Sequence, residues 1–183
     1  MQVWAFDEHR IGLKPILRRV WAKRGQRPLT VVHPRYEWLY LHGFVEPQSG
    51  RTFWYLTFCY LTSWVDAQAF NLVLQEFAVW CGAGDETPVL DETPVLLVVD
   101  QAGWHAGHEV VVPPGITLIF LPPYSPELQP AERLWPLSNE AICNQHFDSL
   151  QELEETQCVR CCQLQEQPEL VKSFALFHWW PLR

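Results

Sequence analysis

The sequence predicts an α/β protein with a mixed β-sheet flanked by helices, and three observations support this fold class. Short apolar stretches bounded by turn residues alternate with segments in which apolar residues recur every three or four positions. Of the 183 residues 48% are hydrophobic, including ten Trp, so the chain has enough apolar surface to form a folded core. No apolar run approaches the roughly 18 residues that a membrane span requires.

The first half of the chain predicts three strands and a helix. The segment VWAFDE is typical of a strand that ends at Asp7. The segment EWLYLHGFVEPQSGRTFWYLTF predicts two strands joined by a turn at PQSG. The segment DAQAFNLVLQEFAVWCG predicts a helix that Asp66 caps and Gly82 ends. Its apolar positions at helical spacing include Phe70, Leu74, Phe77 and Trp80.

The second half predicts two more strands followed by helices. The segment PVLLVVD is a continuously apolar strand that ends at Asp100, and GITLIFLP is another. A helix is expected from Pro130 through AERLWPLSNEAICNQ, with a kink or break at Pro136. The segment SLQELEETQCVRCCQLQ predicts a further helix. The tandem repeat DETPVLDETPVL at 85–96 has only its second copy next to a strand, so we expect the first copy to be additional loop without a chemical role.

Charge is distributed unevenly along the chain. The net charge is -8, yet residues 1–60 hold nine of the 13 Lys and Arg and four of the 21 Asp and Glu. A polyanion can bind such a basic segment, and a solvated loop with spare charge is an equal alternative. Trp21, which lies among these cations, is a candidate for stacking on a base. The uninterrupted basic residues are Lys14, Arg18, Arg19, Lys23, Arg24, Arg27 and Arg35.

The six cysteines are expected to be reduced thiols of a cytoplasmic protein. The opening MQVWAFDEHR lacks the basic and then apolar pattern of a signal peptide, so a disulfide framework is not expected. Cys158, Cys161 and Cys162 offer three zinc ligands, but no second C-x-x-C supplies the remainder of a structural zinc site. Their spacing places them on one helix face, which favours packing in the core.

Three acids follow or precede regular elements in a way that suggests a metal site. Asp7 and Asp100 follow predicted strands, and Glu132 begins the helix after the proline-rich stretch FLPPYSPELQPAERLW. Grouped carboxylates raise one another's pKa unless cations compensate, and oxygen-only ligands suit Mg²⁺ or Mn²⁺. Two such ions can hold a phosphodiester between them. Each acid also has a structural alternative, because Asp commonly ends a strand at a turn and Glu favours the first turn of a helix.

Four segments together resemble a known family. AFDEHRIGLKP, VWAKRGQRP, LLVVDQAGWH and LIFLPPYSPELQPAERLW resemble successive blocks of the DDE-type transposases of bacterial insertion sequences related to the mariner group, the DDE superfamily endonucleases. The resemblance implies a ribonuclease-H-like fold and metal-dependent DNA cleavage and strand transfer. It implies two Mg²⁺ or Mn²⁺ ions held by Asp7, Asp100 and Glu132, which match the family's catalytic acids.

The same resemblance implies roles for further residues. His105 of AGWH matches a position often occupied by His, which is expected to support the site or touch DNA rather than bind metal. The prolines are expected to hold Glu132 near the aspartates, with Tyr124 or Ser125 contacting the DNA backbone. The basic segment is expected to contact phosphates through Lys14, Arg18, Arg19, Lys23, Arg24 and Arg27.

Two positions depart from the family pattern. Gln101 and Gln129 stand where many relatives have Asn.

We divide the chain into a catalytic domain at 1–150 and a C-terminal helical tail at 151–183 that packs on it. Full-length members carry N-terminal helix-turn-helix regions, so this chain is expected to correspond to their catalytic half.

The resemblance implies particular partners and a location in the cell. The expected partners are transposon-end and target DNA and a second copy in a homodimer, with no membrane. The expected location is the bacterial cytoplasm, at the nucleoid when the protein is bound to DNA. The alternatives are an inactive or truncated remnant that acts at most as a DNA-binding or dimerising module, and a general nuclease that cuts RNA–DNA hybrids.

Overall fold

A computed structural model describes residues 1–29, 31, 35–58, 66–83 and 94–181. Within this part of the chain a five-stranded sheet has the order β3-β2-β1-β4-β5. Strand β1 pairs antiparallel with β2 and parallel with β4, so the sheet is mixed as predicted. The strands are β1 Gln2–Gly12, β2 Trp38–Glu46, β3 Arg51–Phe58, β4 Val95–Val99 and β5 Ile116–Phe120.

Five α-helices and three short 3-10 helices are described around this sheet. The α-helices are α1 Ala67–Cys81, α2 Gly103–Ala106, α3 Leu134–Ser138, α4 Leu150–Gln165 and α5 Pro168–Ala175. The 3-10 helices are Pro126–Leu128, Pro130–Arg133 and Asn139–Ala141. None of the helices in the described ranges has the length and apolar character needed to cross a bilayer.

Alternation along the central strands divides the core between the two faces of the sheet. On one face Trp4 and Phe6 pack with the buried side of α1. On the other face Ala5 packs with residues of α3, α4 and α5. Both clusters bury large side chains completely, which holds β1 rigidly in the middle of the molecule. Because residues of α4 and α5 belong to the second cluster, these two helices pack against the sheet.

Helix α1 begins and ends as its sequence predicts. The side chain of Asp66 accepts a hydrogen bond of 2.9 Å from the backbone N–H of Ala69 and so caps the N-terminus. Gly82 ends the helix with a φ of 76°, a conformation that glycine adopts without strain. These two residues fix the length of the helix that covers one face of β1.

Two predictions about the elements are wrong in detail. Strand β1 continues beyond Asp7 to Gly12, because it stays paired with β2 along that whole length. The segment after Pro130 forms a 3-10 helix, the short α3 and a second 3-10 helix instead of one long helix. Pro136, which lacks an N–H donor, lies within that interrupted region.

The three cysteines of α4 do not share a buried face. Cys161 is buried, whereas Cys158 and Cys162 are exposed, so core packing is confirmed for Cys161 alone. Of the tandem repeat, residues 85–93 lie outside the described ranges, and Val95 and Leu96 of the second copy form the start of β4.

Candidate active site

The three predicted acids line one cavity. Asp7, Asp100 and Glu132 border a cavity of about 350 Å³, which the proline-rich stretch encloses on another side. Asp7 lies in the middle of β1, but the parallel pairing of β1 with β4 stops at Ala5 and Val98. Asp7 therefore lies just past the carboxyl end of that parallel pair, close to Asp100, which follows β4 directly.

The carboxyl group of Asp7 is buried and has neighbours of like charge. Burial raises its pKa well above the usual value, and the charges of Glu8 and Glu132 raise the pKa further. The indole N–H of Trp135 opposes this effect by donating a hydrogen bond of 2.9 Å to Asp7 Oδ2. With a hydrogen bond from Trp135 to offset its burial, the carboxylate of Asp7 is stabilised either by binding a proton or by a nearby cation.

Trp135 is itself held in place by β1 and β2. Its ring stacks on His9 at 5.0 Å with an interplanar angle of 17°. Gly43, the partner of Asp7 across the β1–β2 pairing, gives the ring room, since a Cβ there would lie 2.9 Å from Cη2 of Trp135. The absence of a side chain at Gly43 therefore lets the indole approach Asp7.

Asp100 is held by a buried histidine. His105 lies on α2 with 1% of its surface exposed, and its Nδ1 is 2.6 Å from Asp100 Oδ1. The backbone N–H of Ala102 donates to the same oxygen at 3.0 Å. The hydrogen bond from His105 lowers the pKa of Asp100. Asp100 is thus ionised and oriented, with its Oδ2 left for other partners.

His105 makes a second contact with a carboxylate, that of Glu8. Its Nε2 is 2.8 Å from Glu8 Oε1, and Trp104 Nε1 donates to the same oxygen at 3.2 Å. Burial alone lowers the pKa of His105, but the hydrogen bonds and charges of Asp100 and Glu8 outweigh burial and raise the pKa to about 9. A protonated His105 donates from both nitrogens and joins β1 to the end of β4. His105 is therefore a buried, hydrogen-bonded residue and not a residue of the surface.

Sequence reasoning overlooked Glu8, although a signal was available. Glu8 follows Asp7 directly in a strand, so alternation points the two side chains to opposite faces of the sheet. Asp7 faces Trp135, and Glu8 faces His105 on the side covered by α1. An acid inside an apolar strand next to a candidate ligand is the pattern that indicates such a supporting residue.

Glu132 reaches the cavity from the far end of the proline-rich stretch. It is the third residue of the 3-10 helix that begins at Pro130. Burial and then the charge of Asp100 raise its pKa, and the nearby Arg133 lowers it. These couplings agree with the cavity lining, which brings together acids from three distant parts of the chain.

The two glutamines that depart from the family pattern anchor the proline-rich stretch. Gln101 Nε2 donates to the backbone oxygen of Leu121 at 2.9 Å, at the start of the stretch. Gln129 is buried, and its Nε2 donates to the backbone oxygen of Phe6 at 2.9 Å. The stretch is thereby fixed to β1, which carries Asp7, and to the segment after β4, which carries Asp100.

The three acids have the oxygen ligands that a hard divalent cation prefers, although their side chains are not close enough together to bind one ion as they stand. Among the residues that the structure describes, no three His, Cys, Asp or Glu side chains are close enough to form a metal site as they stand. The set that borders the cavity offers oxygen donors only, which suits Mg²⁺ or Mn²⁺. A cation there would also offset the buried charge of Asp7.

The basic segment is exposed and irregular where it is described. Its start is attached to the body of the protein, because Arg18 Nη2 donates to the backbone oxygen of Pro136 at 2.9 Å. All six predicted DNA contacts are exposed, as is Trp21, and they lie in residues without regular secondary structure. Lys14 and Arg35 share a second cavity, of about 320 Å³, with Arg10, a cation that the sequence interpretation did not include.

Comparison with known proteins gives a family and a set of structural relatives. The family model described as DDE superfamily endonuclease matches residues 2–154. An uncharacterized protein of Sinorhizobium fredii, y4pE/y4sA, is 33% identical over 144 residues, which covers 78% of this chain and 96% of that protein.

Solved structures of the Mos1 mariner transposase are among those that match this chain. A pre-cleavage Mos1 transpososome gives a TM-score of 0.61 at 16% identity, covering 96% of this chain and 56% of that one. The Mos1 catalytic domain gives a TM-score of 0.53 at 15% identity, covering 97% and 84%. The chain thus spans little more than half the length of the Mos1 chain in the transpososome.

These likenesses establish the fold, which is the ribonuclease-H-like fold of the Mos1 catalytic domain. The family model spans all five described strands and all three acids of the cavity. The chain therefore belongs to the DDE superfamily of endonucleases.

Proposed function

We propose that this chain is the catalytic domain of a transposase that cleaves DNA strands and joins them to a target with the help of divalent metal ions. The observation that carries the proposal is the single cavity bordered by Asp7, Asp100 and Glu132. Membership of the DDE superfamily endonucleases supports the reaction class. The Mos1 paired-end complexes with Mn and with Mg support the choice of metal.

The hydrogen bonds around the acids indicate which oxygens would bind metal. Trp135 occupies Asp7 Oδ2, and both His105 and Ala102 occupy Asp100 Oδ1. We therefore assign Asp7 Oδ1, Asp100 Oδ2 and the carboxylate of Glu132 as the metal ligands. Two bound ions would supply activation of the attacking hydroxyl or water and neutralisation of the leaving oxygen.

The surroundings of the acids would keep these ligands in place during the reaction. The donor groups of Trp135 and His105 hold the aspartates in one orientation, so that little rearrangement is needed when substrate arrives. The anchored proline-rich stretch limits where a DNA strand can lie beside Glu132. No protein nucleophile is required by this scheme.

DNA is the proposed partner, and the basic segment is its proposed contact. Six exposed cations on one irregular segment can neutralise phosphates even though the whole chain is acidic. The Mos1 paired-end complexes support the proposal that the active form joins transposon ends through two copies of the chain. We assign the recognition of particular transposon-end sequences to none of the described residues.

The test removes one proposed ligand at a time. Asp100→Asn and Glu132→Gln keep the shape of the side chains but weaken metal binding, so nicking of supercoiled DNA in Mn²⁺ should fall at least about 100-fold relative to wild type, the scale on which single catalytic groups act. Glu127→Gln, a change of an exposed acid on the same stretch, is the matched control and should nick like wild type. Nicking by Asp100→Asn at the wild-type rate would refute the assignment.

A second candidate is a family member that keeps the fold without cleaving DNA. It is favoured by the absence, within the described ranges, of three acids already at ligand distance from a common point. The discriminating measurement is thermal unfolding with and without Mn²⁺, since a ligand that binds the native state raises Tm. An active site should show a rise of several degrees, and an inactive remnant should show none.

The variant Asp7→Asn provides a further test by thermal unfolding with and without Mn²⁺. Because burial and neighbouring acids raise the pKa of Asp7, removing its charge should stabilise the metal-free protein at pH 7. For a chain of this size each kcal/mol gained corresponds to about 2–4 °C in Tm. The same variant should lose the rise in Tm caused by Mn²⁺. A wild-type response to Mn²⁺ in Asp7→Asn would contradict the proposed ligand set.

A further inference from the structure

The proline-rich stretch presents one aromatic side chain to solvent at the border of the cavity. Tyr124 is fully exposed, at 101% of its reference surface, so it contributes nothing to packing. Its φ is 56°, in the left-handed region that a bulky residue adopts only with strain. A strained and fully exposed aromatic residue next to candidate catalytic acids suggests a role in binding.

The position of Tyr124 is fixed relative to two of the acids. Gln101 holds the start of the stretch beside the end of β4, and Gln129 holds its end against β1. Prolines flank the tyrosine on both sides, at Pro123 and Pro126. Little conformational freedom remains in the backbone on either side of Tyr124, so a ligand that contacts its ring lies at a limited distance from the cavity.

The chemistry of the stretch favours a nucleobase over a phosphate. Residues 121–131 contain no Lys or Arg, and their one charged residue is Glu127. The cavity beside them is lined by carboxylates, which repel phosphate oxygens in the absence of cations. An aromatic ring, by contrast, binds the face of any unstacked base regardless of sequence.

We propose that Tyr124 is a stacking platform for an unpaired nucleobase next to the phosphodiester that enters the cavity. The proposal rests on the proposed function, because it supplies a position for the strand that the acids would cut. It replaces the expectation that Tyr124 contacts the DNA backbone. Base stacking on the ring would hold the end of a frayed or cleaved strand in register with Asp7 and Asp100.

The experiment measures stacking directly with a fluorescent base. The probe is a DNA duplex with a three-nucleotide single-stranded 3′ extension that carries 2-aminopurine at its first unpaired position, in buffer with Ca²⁺. Wild type and Tyr124→Phe should quench the probe, because both retain an aromatic ring. Tyr124→Ala should lose the quenching and bind the extended probe about 5- to 160-fold more weakly, the range that corresponds to about 1–3 kcal/mol for removal of a single base–aromatic stack.

Two controls keep a loss of binding from being mistaken for a loss of folding. Tyr124→Gly should keep or raise Tm, because glycine adopts the left-handed conformation without strain, while losing the quenching as Tyr124→Ala does. Phe174→Ala removes an exposed aromatic side chain on α5 and should quench like wild type. A blunt duplex of the same sequence should bind equally to wild type and Tyr124→Ala.

The outcomes separate this proposal from the proposed function. Wild-type quenching by Tyr124→Ala, or an equal loss of affinity for blunt and extended probes, would overturn the stacking role. If Asp100→Asn abolishes nicking while Tyr124→Ala quenches normally, the stacking proposal alone fails. If Asp100→Asn nicks normally while Tyr124→Ala loses quenching, the assignment of the acids alone fails.

Discussion

The imidazole of His105 is enclosed between the carboxylates of Glu8 and Asp100, and its charge state decides how firmly Asp100 is held. Both contacts are short, at 2.8 Å and 2.6 Å, and His105 is almost fully buried. Hydrogen bonds to a charged group are worth more than neutral ones, particularly away from water. Through these two contacts His105 both orients Asp100, a proposed metal ligand, and stabilises the sheet by joining Asp100 to Glu8 of β1.

The stability of the metal-free protein should consequently fall at alkaline pH. The pKa of His105 is about 9 in the folded protein against 6.5 as the ordinary value, so the folded state binds the proton more tightly. The resulting stabilisation, on the order of 3 kcal/mol, is fully present below pH 6.5 and is lost as pH rises through 9. Urea unfolding from pH 6 to pH 10 measures this fall. Glu8→Gln should lower the pKa of His105, which makes the fall smaller and moves it to lower pH.

His105→Gln is the control for that prediction, because it removes the titrating group and should remove this part of the pH dependence. An unchanged profile in both variants would show that the alkaline loss arises elsewhere. At this scale the sequence indicated His105 as a residue that supports the site or touches DNA. Its partner Glu8 was indicated only as an acid inside an apolar strand beside Asp7. The contact itself could not be predicted, since periodicity reveals that Asp7 and Glu8 face opposite sides but not that a histidine from another element meets one of them.

Among the elements, the pairing of β1 with β2 positions the site as much as the strand ends do. Asp7 lies opposite Gly43, and Trp135 from α3 occupies the space that a side chain at Gly43 would fill. The sequence predicted both strands but ended β1 too early, because an acid in an apolar run is usually a strand end. Pairing with a partner strand overrode that signal.

Gly43→Ala tests whether this packing matters to the site. The new Cβ would lie 2.9 Å from the ring of Trp135 and 3.1 Å from Leu134, so both must shift. Overpacking of this kind costs typically 1–3 kcal/mol, and the shifted indole should lose its hydrogen bond to Asp7. Thermal unfolding should show the lower stability, and Mn²⁺ should raise Tm less than in wild type.

Gly82→Ala is a matched control for Gly43→Ala, because it also replaces a glycine but lies at the end of α1, where a Cβ meets no neighbour within 4 Å. It should lower Tm through backbone strain at a φ of 76° while leaving the response to Mn²⁺ intact. An equal loss of the Mn²⁺ response in both variants would mean that general destabilisation, not the position of Trp135, is responsible.

Across the whole molecule the charges are segregated in a way that the sequence already showed. The acidic body carries the cavity. The exposed basic segment is attached to this body by the hydrogen bond from Arg18 to Pro136, which lies four positions after Glu132. The sign and location of this segment could be predicted from the sequence, because charge requires no knowledge of packing. Its attachment could not, since it depends on a contact between parts of the chain more than a hundred residues apart.

If the basic segment binds DNA through phosphates, neutralising it should weaken binding in a salt-dependent manner without unfolding the protein. The variant replaces five exposed cations by Gln and keeps Arg18, whose contacts with the body are structural; the five are Lys14, Arg19, Lys23, Arg24 and Arg27. Each lost phosphate contact reduces the slope of log affinity against log salt by about 0.9, so the loss of five should reduce the slope by up to about 4.5. Filter binding of duplex DNA from 50 to 300 mM NaCl measures the slope, with Tm as the folding control. A slope equal to that of wild type would assign DNA binding to another surface, of which the cavity shared by Arg10 and Arg35 is the next to test.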